Sequence, residues 1–149
     1  MRTRFEFDVH TRATPEQVIE LFTDFSANRP NRWPALSPRE YRVFSVGETE
    51  AEAQEGQDLP KVSARWHYDW STPGKVVMTV TESAYLATSS FHTVEVKPAA
   101  NGGSDLHGVW DNTATNLSAK IGIGMMRVMG PTFFRRYYKR TLDRLAETA

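Results

Sequence analysis

The residues with chemical reach in this chain are four histidines and a spread of carboxylates. No cysteine is present to act as nucleophile, thiolate ligand or disulfide partner. His67 and Asp69 stand two apart in "SARWHYDWSTPGK", the spacing that puts a histidine and a carboxylate on one face of a strand, where they could work as an acid–base pair. Trp66, Tyr68 and Trp70 occupy the alternate positions and take the other face. Register decides which face is inner. With Thr72, Pro73 and Gly74 as the loop, Trp70 meets Val76, Tyr68 meets Met78 and Trp66 meets Val80. One face then becomes wholly apolar, and His67 and Asp69 join Lys75 and Thr79 on the solvated one. A two- or four-residue loop mixes the faces, so the three-residue loop is preferred and WHYDW reads as an aromatic wall with a wet back.

His92 and Asp111 are the second candidate pair. An even-length loop around Asn101-Gly102-Gly103 sets them on one face, where they could orient a ligand or move a proton during dehydration; an odd length separates them. His107 and Asp111, four apart on one strand, lie about 13 Å from each other, too far to share an ion, and no metal is expected. No nucleophile elbow, phosphate loop or dinucleotide fingerprint occurs. Gly122-Ile123-Gly124 lacks the third glycine and falls in a helical stretch, so no cofactor is expected.

Eighteen basic and eighteen acidic residues give a formal charge of zero and a pI near 6.9, a balance that supplies no global field for nucleic acid or an anionic membrane. "FFRRYYKR" interleaves rings and bases, but helical spacing sends Phe134, Tyr138 and Leu142 to the buried side and Arg135, Arg136, Lys139 and Arg140 to water. Glu48, Glu50, Glu52, Glu55 and Asp58 form an opposite pole, an arrangement suited to homodimer contact. No signal-like segment or membrane-length apolar run is present, so a cytoplasmic protein without membrane insertion is expected.

These residues must be positioned by a regular set of elements. Residues 3–10 alternate as a half-buried strand; Thr14-Pro15-Glu16-Gln17 then forms an N-cap, an N1 proline and a capping box ahead of a helix burying Val18, Leu21, Phe22 and Phe25. The proline-rich 28–38 segment admits short helical turns, with Trp33 as its anchor. Six strands follow, roughly 40–47, 49–56, 61–71, 75–83, 88–97 and 104–114, with turn signals short enough for an antiparallel meander. A long helix spans 117–147, with Leu117, Ile121, Met125 and Val128 spaced for one face and Pro131 expected to kink or briefly break it. At 149 residues without a linker, one domain over 1–149 is expected.

The opening "FEFDVHTRATPEQVIELFTDF", the tryptophan in the proline-rich segment, the run of hairpins and the ending "FFRRYYKRTLDRLAE" together resemble the polyketide cyclase/dehydrase-like branch of the START-like SRPBCC superfamily. The resemblance implies an α+β helix-grip fold: a curved seven-stranded antiparallel sheet wrapped around a long C-terminal helix, two short helices after the first strand, and an apolar cavity between sheet and helix. Such proteins bind lipids, polyketides or other small hydrophobic molecules, and a minority catalyse cyclisation or dehydration. Trp66, Tyr68, Trp70, Met78 and Val80 are then expected to line the sheet side of the cavity. Ile121, Met125, Val128, Met129 and Phe133 would face them from the helix. Binding of a hydrophobic ligand is the first reading; an aromatase/cyclase-type enzyme using His92 and Asp111 is its alternative.

Overall fold

The chain opens as strand β1 (Arg2–Thr11), whose Phe7 and Val9 are buried while Glu6, Asp8 and His10 are exposed, as the alternation requires. A computed structural model describes residues 1–148. Helix α1 (Pro15–Phe22) begins with the expected capping box: Gln17 N–H donates to Thr14 Oγ1 at 3.2 Å, and Thr14 N–H donates to Gln17 Oε1 at 2.9 Å. Such a cap contributes about 1 kcal/mol. A single helical turn, α2 (Arg29–Arg32), interrupts the proline-rich segment and delivers Trp33, which is buried.

Strands β2 (Arg42–Val46), β3 (Glu50–Asp58), β4 (Lys61–Asp69), β5 (Lys75–Glu82), β6 (Phe91–Pro98) and β7 (Ser104–Thr113) form an antiparallel meander, and β1 joins beside β7. The seven-stranded order is β1-β7-β6-β5-β4-β3-β2. Register slips at Val43/Ser45 and at Arg65/Trp66 mark bulges, which bend strands and increase their twist. Helix α3 (Leu117–Thr148) lies across the concave face and runs through Pro131 without a break.

The inner face of α3 is not the one the sequence spacing favoured. Leu117, Ile121, Met125, Val128, Met129 and Phe133 are exposed, Val128 by as much as 83%. The sheet instead meets Ala119, Gly122, Ile123, Met126 and Gly130, followed by Phe134, Tyr138 and Leu142. The reason is steric. A Cβ on Gly130 would lie 2.8 Å from the Phe5 ring, and one on Gly122 would lie 3.3 Å from Pro60 and Val62, so the small-residue face is the one that can approach closely. The bulkier stripe is left opposite. No helix among the described residues is long and apolar enough to cross a membrane.

Candidate functional site

Between the sheet and α3 lies a cavity of about 250 Å³, reaching the surface beside the exposed Ala35. Its sheet wall is laid down by β4 and β5 in the three-residue-loop register, with Trp66 opposite Val80 and Tyr68 opposite Met78. Trp66, Tyr68 and Met78 line the space. Val80 is buried but lies outside the lining, and Trp70 is half-buried against Phe25, ring centroids 6.1 Å apart. From the helix the lining comes from Gly122, Ile123, Met126, Phe134, Tyr137 and Tyr138. Ile121, Met125, Val128, Met129 and Phe133 take no part in it, because the small-residue face turns them outward.

The second expected pair is also rearranged. Residues 99–103 form a five-residue loop between Pro98 and Ser104, with Gly102 and Gly103 at φ of 92° and 73°. That odd length pairs His92 with Trp110 and sends Asp111 to the outer face. There Asp111 accepts from Arg2 Nε at 3.0 Å and Nη2 at 2.6 Å, bonds that hold its carboxyl below the usual range. His92 faces the cavity and meets Asn112 instead, Nε2 to Oδ1 at 3.0 Å. With the amide oxygen accepting, Nε2 carries the proton and Nδ1 keeps its lone pair. The imidazole sits between Trp66 and Trp110, centroids 4.6 and 4.3 Å away, and stacks on the latter at 10°. Burial pushes its pKa down to about 4, against the smaller upward pulls of Asn112 and Asp111. His92 is therefore neutral at physiological pH.

Across the cavity is a buried ion pair that sequence reasoning missed. Arg29, only 2% exposed, donates from Nε to Glu55 Oε2 at 2.9 Å and from Nη2 to the Tyr68 hydroxyl at 3.2 Å. Its Nη1 reaches the carbonyls of Phe22 and Asp24 at 3.0 and 2.9 Å and that of Leu21 at 3.4 Å, satisfying acceptors that the end of α1 leaves unpaired. Tyr68 in turn donates to Glu55. Burial opposes the Arg29 charge, but Glu55 and Tyr68 outweigh it and raise the pKa. The Tyr68 phenol is pushed up by burial and by Glu55. Glu55 thus belongs to the interior and not to the outer acidic pole. Its position continues the inward parity of Ala51 and Ala53, a signal present in the sequence.

On the outer face of β3 and β4, His67, Asp69 and Glu50 bring their ligand atoms within 4.8 Å of one another. They are exposed or half-exposed, and Asp69 already accepts from Ser71 N–H and Oγ–H, so the group reads as a solvated surface.

A curved antiparallel sheet gripping a C-terminal helix over an internal cavity is the helix-grip fold of START-like (SRPBCC) proteins, polyketide aromatase/cyclases among them. Among solved structures, a START superfamily protein from Mycobacterium smegmatis superposes with a TM-score of 0.74 at 9% identity, over 98% of this chain and 99% of that one. The di-domain ARO/CYC StfQ of the steffimycin biosynthetic pathway gives 0.70 at 12% identity, covering 99% of this chain and 52% of its own. Norcoclaurine synthase from Thalictrum flavum, in complex with dopamine and hydroxybenzaldehyde, gives 0.69 at 7% identity over 99% and 88%. No family model and no curated protein matches the sequence.

Proposed function

We propose that the protein binds a small hydrophobic ligand in this cavity, with the aromatic walls supplying burial and a few polar groups fixing orientation. The observation that carries the reading is the unfilled space of about 250 Å³ among Trp66, Trp110, Met78 and Met126. An apolar cavity of about 150 Å³ suffices for benzene, and drug-sized sites begin near 300 Å³. Scaling between these gives a ligand of roughly ten non-hydrogen atoms. Of lipid-, polyketide- and aromatic-like molecules, that size favours a compact aromatic. Dopamine and hydroxybenzaldehyde, the small aromatics in complex with norcoclaurine synthase, support the same class. The test is calorimetric titration with naphthalene, alongside native mass spectrometry of the freshly purified protein for a co-purified small molecule. One-to-one binding that Ala64→Phe abolishes supports the reading. No heat and no co-purified molecule would count against it.

A second reading, aromatase/cyclase-type catalysis, draws on the neutral His92, whose Nδ1 lone pair is free to accept a proton from an acidic carbon between two carbonyls. It requires turnover of a poly-β-ketone that His92→Gln removes while leaving binding intact.

A further inference from the structure

Besides Gln57, Ser63 and the hydroxyls of Tyr137 and Tyr138, the polar lining of the cavity falls into two clusters. One cluster is charge-balanced: Nε, Nη1 and Nη2 of the Arg29 guanidinium each have a partner, and the cavity's one cation is matched by its one carboxylate, Glu55, among the described lining residues. A carboxylate entering the cavity would lose its hydration and find no free positive charge.

The other group is open. Thr3 and Asn112 are cross-strand partners on β1 and β7, His92 bonds to Asn112 from β6, and all three line the cavity. Thr3 is 6% exposed and its Oγ1 is the one buried side-chain polar atom without a hydrogen-bond partner among the described residues. A buried hydroxyl left in this state costs free energy until something pairs with it. Asn112 spends its oxygen on His92 and keeps its amide donors, and His92 Nδ1 offers an acceptor. The cluster thus presents both donors and acceptors, none of them charged.

We infer that the cavity selects an uncharged aromatic ligand carrying a hydroxyl, seated at Thr3, His92 and Asn112, and rejects the corresponding carboxylate. The inference rests on the cavity-binding reading above and narrows it to one ligand chemistry. A hydroxyl can accept from Asn112 or Thr3 and donate to His92 Nδ1, filling the vacancies that naphthalene leaves open. Trp110 stacked on His92, with Trp66 tilted against the imidazole's other side, sets an aromatic wall behind it.

The test is titration calorimetry at pH 7 with naphthalene, 2-naphthol and 2-naphthoate. One net hydrogen bond predicts that naphthol binds about tenfold tighter than naphthalene. Naphthoate is expected about a hundredfold weaker than naphthol, given its uncompensated charge. Thr3→Val and Asn112→Leu should bring the naphthol-to-naphthalene ratio to about one. Glu55→Gln, which releases the Arg29 charge, should improve naphthoate binding relative to naphthol. Wild-type naphthoate binding as tight as naphthol overturns the inference, as does naphthalene binding with no preference for naphthol; both leave cavity binding standing. Absence of heat with all three ligands, together with no co-purified small molecule, overturns the cavity-binding reading and this inference with it; absence of heat with all three beside a co-purified molecule overturns this inference alone.

Discussion

Acidification should destabilise the protein specifically through His92. Its folded pKa is about 4, against 6.5 for the free side chain, so the folded form resists a proton that the unfolded chain accepts. Stability is therefore complete above about pH 6.5, falls as pH drops toward 4, and levels off below. That difference corresponds to roughly 3 kcal/mol, most of it lost between pH 7.5 and 4.5. Other groups contribute to the raw curve. His107 is held above its ordinary value by Asp8 and Glu6 and gains stability as pH falls, while Asp24, Asp111 and Asp143, all held low, lose theirs at more acidic pH. Subtraction removes them. Urea unfolding of wild type and His92→Gln at pH 7.5 and 4.5 should show the wild type losing roughly 2–3 kcal/mol more than the variant. Equal losses in the two proteins would mean that the imidazole is not held neutral between the two indoles.

Further outcomes test the packing. Glu55→Ala leaves the Arg29 charge buried without its counter-ion and should cost about 3–5 kcal/mol in chemical denaturation. Ile123→Ala, on the inner face of α3, should cost about 2 kcal/mol, whereas Val128→Ser on the outer face should stay within about 0.5 kcal/mol; a reversed order would restore the helix phase read from spacing. Gly108→Ala should cost about 1–3 kcal/mol, since its Cβ would lie 2.4 Å from the Phe7 ring packed over that strand.

The meander from β2 to β7, the capping box, the β4–β5 register and the inward parity of Trp66 and Tyr68 were legible because each rests on local periodicity or turn chemistry. The phase of α3 was not. Its first half is apolar on two sides, and spacing alone preferred the bulky stripe at 117, 121, 125 and 128 over the small face that the sheet admits. The His92–Asp111 pairing hinged on whether the loop at 99–103 was odd or even, which glycine content leaves open. Arg29 could not be placed from a proline-rich segment without period. Glu55 was visible in the alternation of Ala51 and Ala53, but its charge argued for water until Arg29 supplied a partner.

Ligand binding here needs vacant volume between the sheet and α3 that a neutral aromatic can occupy. Crystals of the protein grown with 2-naphthol test this directly by diffraction. Density for the ring among Trp66, His92 and Met126, with its oxygen toward Thr3 and Asn112, is the expected result. Side chains closing that space, or naphthol seated only on the exposed Ile121 and Val128 side of the helix, would contradict it.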